Sequence, residues 1–341
     1  MSNALFFISK PLELLGAIEA KTQFDIKNAV LVYCCKKNKD RATIEFLLKK
    51  EKIWNTVIFV KPKPYYGLFW VRLIKKLQKE KYTYLFTRAF STSAYFIHNL
   101  EFEKHMLLDD GTATIKIHKE FLKNKNLNKR FSLFGGLNKS GLKYDAIEFI
   151  YKLFKIKTDG EVNSVNFFTF FEINTTKNIS VYPNKMEWIK QLQTSESSAS
   201  EQDLVYVIGT NVINAKIVAQ SDYLTTLLMI KQYYSPKKII YIPHVMESEE
   251  FLNDLCENGI EIKHNKYNIE LDFLLNGIAP RHIAGTISTS LISLKMIYGE
   301  PLNVDFFHFD KRKLNSKSNA IVKEIYEYQN QELNYVPLNY K

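Results

Sequence analysis

Short apolar runs recur along this chain, each separated from the next by a stretch that is polar or helically spaced. Ala4–Ile8, Ala29–Cys35, Thr56–Val60, Tyr82–Phe86 and Phe102–Leu108 fall within its first third. A run that is apolar on both faces needs cover on both, and helices between successive strands supply it. The alternation therefore predicts a parallel, doubly wound α/β sheet. Pro11 opens a helix that reaches about Ala20, with Leu12, Leu15, Ile18 and Glu19 at helical spacing, and Ala42–Lys50 and Trp70–Leu77 read the same way.

The alternation breaks at 193–203, a polar stretch of linker composition, and then restarts. Leu204–Ile208, Lys238–Ile242, Ile260–Lys263 and His282–Gly285 are expected strands. Ser221–Tyr233, Ser248–Glu257, Ile269–Leu275 and an apolar segment ending at Tyr298 are expected helices. The expected organisation is an N-terminal Rossmann-like domain over 1–192, a linker over 193–203 and a second Rossmann-like domain over 204–310. A helical segment over 311–341, with its helix at Asn319–Gln329, is expected to pack back across the domains. Two such domains predict a cleft between them.

Composition narrows the function classes. The chain has 341 residues, 46% of them hydrophobic, without a run long enough to span a membrane. The apolar run at Ala4–Ile8 is too short for the core of a signal peptide and lacks a basic leader. Cys34, Cys35 and Cys256 are odd in number and show no metal-ligand spacing, which points to a reducing, cytoplasmic setting. The net charge of +11 is uneven: residues 1–200 carry 33 Lys and Arg against 19 Asp and Glu, and residues 201–341 carry 14 against 17. A basic N-terminal half suits nucleic acid, an anionic membrane or an anionic glycan. With no nucleic-acid motif beside it, a nucleic-acid partner is not expected.

Chemistry-bearing residues gather where expected strands end. Leu107-Leu108-Asp109-Asp110-Gly111-Thr112 puts two adjacent carboxylates after an apolar pair, followed by a glycine that permits a sharp bend. A carboxylate at the end of a buried strand loses solvent, which raises its pKa toward that of a general base; an Asp before a helix is also an ordinary cap. His244 ends another expected strand, where a lone histidine is commonly structural. Ser288, Thr289 and Ser290 stand between a strand and an apolar helix. Free N–H groups there favour a phosphate, and the same hydroxyls serve as N-caps. Glu270 opens a short helix as a first-turn acid. Taken together these residues suggest a nucleotide-linked sugar: a phosphate on the helix N-terminus and His244, ribose hydroxyls on Glu270, and an acceptor deprotonated by an Asp of the other domain. No His/Asp/Glu cluster has metal-ligand spacing, so neither a metal nor another cofactor is expected.

With these motifs in this order, the chain resembles the bacterial sialyltransferases and polysialyltransferases of the GT-B type. Ser9-Lys10-Pro11 through Ala20 is similar to the family's opening strand-to-helix segment, and Asp109-Asp110-Gly111 to its acidic-acidic-Gly motif. Pro243-His244-Val245 resembles the His-Pro motif, with Val245 in place of the proline. Ser288-Thr289-Ser290-Leu291 resembles the Ser-Ser/Thr motif. The resemblance implies a GT-B fold and a CMP-activated nonulosonic acid as donor. It implies Asp109 as general base, with Asp110 and Gly111 holding the turn. The donor would be bound by Gly209, Thr210, His244, Glu270, Ser288, Thr289 and Ser290, with the CMP phosphate on the Ser/Thr motif and the ribose on Glu270. Gly209-Thr210-Asn211 carries no carboxylate, where one related family keeps its base, and this favours Asp109. The acceptor would be a glycan or glycolipid. Other readings are a transferase of CMP-Kdo or a UDP-hexose, and a non-catalytic protein that binds anionic glycan or membrane.

The stretch from Lys61 to Lys76 interleaves Tyr65, Tyr66, Phe69 and Trp70 with lysines and Arg72. Trp and Tyr favour the headgroup region and cations favour an anionic leaflet, so this stretch is expected to dock on the inner membrane surface. Lys123–Lys143 is a second expected contact or an acceptor loop. The competing expectation is that Leu68, Val71, Leu73, Ile74 and Leu77 face the core.

Overall fold

A computed structural model describes residues 2–35, 37–61, 67–88, 93, 96–123, 142–157, 160, 162–192, 198–199 and 203–340. The chain divides into two compact units, residues 1–185 and 186–341.

The first unit is built on seven parallel strands: β1 (Asn3–Ile8), β2 (Asn28–Tyr33), β3 (Thr56–Phe59), β4 (Lys81–Thr87), β5 (Glu101–Leu108), β6 (Val165–Thr169) and β7 (Ile179–Pro183). Their order across the sheet is β3-β2-β1-β4-β5-β6-β7. Among its helices are α1 (Pro11–Gln23), α2 (Asn38–Lys50), α3 (Gly67–Leu77), α4 (Ala113–Lys123) and α5 (Leu142–Leu153). The central strand β1 is buried from Ala4 to Ile8, as a strand covered on both faces must be. On one face Phe6 stacks on Phe86 with ring centroids 4.6 Å apart, and on the other Phe7 meets Phe96 at 4.7 Å and Trp70 at 6.3 Å. In α3, Val71, Leu73, Ile74 and Leu77 are buried in this core, as the competing expectation had it; Leu68, which it also placed there, is exposed with Phe69, and Trp70, expected at the membrane, is buried. Residues 62–66 and 124–141, which carry much of the expected membrane contacts, lie outside the described residues.

The second unit repeats the plan with six parallel strands, in the order β11-β10-β9-β13-β14-β15. They are β9 (Leu204–Ile208), β10 (Lys238–Ile242), β11 (Glu261–Ile262), β13 (His282–Gly285), β14 (Asn303–Phe307) and β15 (Asn334–Val336); β8 (Ser198–Ala199) and β12 (Ile278–Ala279) pair separately. The helices are α6 (Glu187–Lys190), α7 (Gln220–Tyr234), α8 (Glu249–Glu257), α9 (Ile269–Leu275), α10 (Thr289–Tyr298) and α11 (Asn319–Glu332).

The division between the units falls earlier than the expected linker. Residues 186–192 belong to the second unit, because α6 packs against α10. The segment 311–341 also lies within the second unit. There it supplies α11 and the edge strand β15, whose Phe307↔Val336 register extends the sheet beyond β14.

In both sheets the chain winds outward on one side, returns to the centre and then winds outward on the other. The reversal falls between β1 and β4 in the first sheet and between β9 and β13 in the second. In such sheets ligands bind at that switch point, outside the carboxyl ends of the strands.

Candidate functional site

Register decides what meets at the first switch point. Ile8 of β1 lies beside Tyr33, Phe7 beside Thr87, Thr87 beside Leu107 and Leu108 beside Phe168. One residue further on, Ser9-Lys10, Arg88, Asp109 and Thr169 therefore emerge along one edge. Asp109 is 4% exposed. Its Oδ1 accepts from the Thr169 hydroxyl at 2.6 Å and its Oδ2 from the Phe170 N–H at 2.9 Å. Burial pushes its carboxyl up to about 7, against the pull of those two hydrogen bonds.

Asp110 faces a different set of partners. It pairs with Lys10, and its Oδ2 lies 2.7 Å from Nη2 of Arg88. Burial works against its ionisation, but Arg88 and Lys10 outweigh it and hold the carboxyl below the ordinary range. Arg88 also sits 2.9 Å from Oε1 of Glu13, which is fully buried at the start of α1. Glu13 Oε2 accepts the N–H groups of Ser9 at 2.5 Å and Lys10 at 3.1 Å. Burial pushes Glu13 up to about 7, with Arg88 opposing and Asp110 reinforcing. The two aspartates thus point into a strand end and an ion network, and both also meet Thr114 in the first turn of α4, Asp109 through its carboxylate and Asp110 through its N–H at 3.2 Å. Gly111 completes the turn with a φ of +66°, a conformation that L side chains rarely adopt.

At the second switch point, Ile208 lies beside Gly285 and Ile242, so Gly209, Thr286 and Pro243 leave the sheet together. The Thr210 hydroxyl donates to the Ile287 carbonyl at 2.5 Å and joins the two loops. Ser288 caps α10, its Oγ accepting the Ser290 N–H at 3.3 Å. The capping expectation therefore holds, and Ser288, Thr289 and Ser290 are half-buried at that helix start. His244 is half-buried, and its Nδ1 accepts the Met246 N–H at 3.2 Å, which leaves Nε2 as the protonated ring nitrogen.

A residue that the sequence did not single out organises this edge. Glu247 accepts the Tyr241 hydroxyl at 2.6 Å on Oε1 and the His244 N–H at 2.8 Å on Oε2. Tyr241 in turn meets the Tyr223 hydroxyl at 3.0 Å. Burial pushes the Glu247 carboxyl up to about 7. A Cβ on Gly209 would lie 2.7 Å from the Tyr241 hydroxyl and 2.8 Å from both Glu247 Oε2 and the His244 nitrogen. The absent side chain is what lets the two loops close on each other. Glu270 is 4% exposed and already committed within the unit: Oε1 accepts from Ser293 at 2.5 Å and Oε2 from Asn268 at 2.8 Å.

Sequence reasoning also passed over Arg88 and gave Lys10 and Glu13 no role. The available signal was position: Arg88 follows an expected strand, where a cation that close to the core needs a carboxylate partner.

No family model and no curated protein matches the chain. Solved structures do. Over 98% of this chain and 91% of the other, it superposes on a Listeria monocytogenes protein assigned as a UDP-N-acetylglucosamine 2-epimerase, with a TM-score of 0.50 and 8% identity. Anabaena Alr3699/HepE, solved with UDP and glucose, matches over 98% of this chain and 96% of that one, with a TM-score of 0.48 and 11% identity. The UDP-GlcNAc 2-epimerase of Neisseria meningitidis, bound to UDP-GlcNAc, matches over 97% and 91%, with a TM-score of 0.48 and 10% identity. At such identities the likeness is one of fold, the two-domain GT-B architecture of paired Rossmann-like units.

Proposed function

We propose that this protein is an inverting, metal-independent glycosyltransferase that moves a nonulosonic acid from its CMP-activated form to a hydroxyl of a surface-glycan acceptor. One observation carries the reading. Each unit delivers its candidate polar residues to the carboxyl edge of its sheet at the switch point, a buried acid in one and a phosphate-type cradle in the other.

The chemistry follows from those groups. Asp109 takes the proton of the acceptor hydroxyl, and that oxygen attacks the anomeric carbon of the donor. The bond from that carbon to the CMP oxygen breaks, its electron pair leaves with the phosphate, and the configuration inverts. A carboxyl held near 7 is matched to this task at neutral pH. His244, protonated on Nε2, donates to the leaving phosphate, and Ser288, Thr289 and the first N–H groups of α10 add donors. Each Glu270 oxygen keeps a lone pair with which to accept a ribose hydroxyl while Ser293 and Asn268 hold the carboxylate in place. Gly209 and Thr210 bring backbone close to the donor. Asp110 stays ionised and holds the turn.

The test is a thermal-shift comparison of CMP, CDP, UMP, UDP and GDP. A ligand at 100 times its Kd stabilises the native state by about 2.7 kcal/mol. A selective shift with CMP, followed by transfer unaffected by EDTA, supports the reading. A selective shift with UDP moves the protein to UDP-sugar chemistry, whether transfer or epimerisation. No shift with any nucleotide leaves a protein that binds anionic glycan or membrane without catalysis.

A further inference from the structure

Helices α3 and α5 pack against each other on one face of the first sheet. Both end beside Asn99: Gln78, just past α3, donates to its carbonyl at 2.8 Å, and Lys157, just past α5, exchanges two hydrogen bonds with its side chain at 2.7 and 2.8 Å. Their inner sides are spent on the core, through Trp70, Leu73, Ile74 and Leu77 from α3 and Tyr151 and Ile156 from α5 and the turn after it. Among the described residues their outer sides also carry large apolar groups. Leu68 is 53% exposed, Phe69 44%, Phe149 67%, Leu153 66% and Phe154 41%. An amphipathic helix on a soluble surface presents polar groups outward, so five large apolar side chains along one helix pair are a binding face.

Among the described residues the exposed charge along that face is mostly basic, with Glu80 just past α3 as an exposed acid. Arg72, Lys75, Lys76, Lys79, Lys155 and Lys157 are all exposed, and none of them pairs with a carboxylate among the described residues. Phe and Leu side chains that enter the acyl boundary, ringed by long cationic side chains that reach phosphate headgroups, match the two components of an anionic lipid surface. We infer that the α3–α5 face, through Leu68, Phe69, Phe149, Leu153 and Phe154 and the surrounding cations, docks on an anionic lipid bilayer. From the expected contact at Lys61–Lys76, the described residues contribute Leu68, Phe69, Arg72, Lys75 and Lys76, and the other three apolar groups lie on or just past α5, which composition did not single out. The inference is independent of the sugar chemistry proposed above and survives its failure.

Co-sedimentation with vesicles of phosphatidylcholine alone, and of phosphatidylcholine with about one-third phosphatidylglycerol, tests it. The wild-type protein should partition to the anionic vesicles, with a partition coefficient that falls about tenfold between roughly 0.05 and 0.5 M NaCl. Phe149→Glu with Leu153→Glu, and separately Lys75→Glu with Lys76→Glu, should each lower partitioning about tenfold. These positions are exposed, so an unchanged melting temperature shows that the fold is kept. Tyr233→Glu, at a comparably exposed aromatic of the second unit, should bind like wild type. Wild-type partitioning that is absent, equal on neutral vesicles, or insensitive to both double substitutions overturns the inference. So does a dimer in solution that Phe149→Glu dissociates, since a second copy would then be the occupant.

Discussion

Nη2 of Arg88 stands 2.7 Å from Oδ2 of Asp110, and this pair ties the end of β4 to the acidic turn that follows β5. The same guanidinium faces Glu13, so one cation serves two buried carboxylates from two other segments.

Removing Arg88 should therefore cost far more than an exposed ion pair would. Arg88→Met leaves the fully buried Glu13 without its cation, and an unpaired buried charge costs about 3–5 kcal/mol. Adding Glu13→Gln should recover part of that loss, because the amide oxygen still accepts the Ser9 and Lys10 N–H groups. Urea unfolding of the two single variants and the double variant measures the coupling. Strictly additive losses would mean that the two side chains do not act together.

Asp109→Asn should cut transfer by about 10²–10⁴-fold with the fold intact. The Thr169 hydroxyl can reverse its bond toward the amide, and the Phe170 N–H keeps an oxygen to donate to. In the wild type kcat/KM should rise with pH up to about 7, since the base works deprotonated. A variant with near-normal turnover, or a wild-type rate flat across that range, assigns the base elsewhere.

The same carboxyl makes a separate claim on stability. Its pKa is raised in the folded state, to about 7, so between the unfolded value near 4 and that point the folded protein holds the extra proton. Stability from this group is complete below about 4 and is lost as pH rises through about 7. Glu13 and Glu247 act in the same direction. Asp109→Asn should melt like wild type near pH 4 and at a higher temperature near pH 8. A difference of opposite sign in melting scans would contradict the burial on which the base assignment depends.

Ser288 separates capping from phosphate binding. Ser288→Ala removes the cap and should cost about 1 kcal/mol of stability as well as nucleotide affinity. Ser288→Asp keeps a good cap, so stability should hold, but its charge repels a phosphate at that helix start. Calorimetric titration with CMP should then show binding weakened more by Asp than by Ala. Unchanged affinity in both variants moves the phosphate away from α10.

Most strands and helices could be read from the chain because their apolar runs stop abruptly at Gly, Pro or polar clusters, as at Ile208-Gly209 and Ile242-Pro243. The strands that escaped notice lack this contrast. β14 carries Asp305 in its middle, and only the fold shows its partners: the Tyr234 hydroxyl at 2.6 Å, His282 at 2.7 Å and Asn334 at 2.6 Å. β7 ends in Pro183 at the edge of its sheet and is only partly buried. The positions of Asp109, His244 and Ser288 were legible because strand ends are legible. Their surroundings were not, since Thr169 lies 60 residues from Asp109 and Arg88 lies 75 from Glu13, and register alone brings them together.

The tight seat of Gly209 against Tyr241, Glu247 and His244 bears on how this sequence can vary. A side chain at 209 would strike the Tyr241 hydroxyl, the Glu247 carboxylate and the His244 backbone nitrogen together, so smaller residues at 241 and 247 would not admit it unless the His244 backbone also moved. These positions pack as one unit. Any replacement of Gly209 must therefore reshape the loop at His244, and with it the edge of the second sheet where the phosphate is proposed to sit.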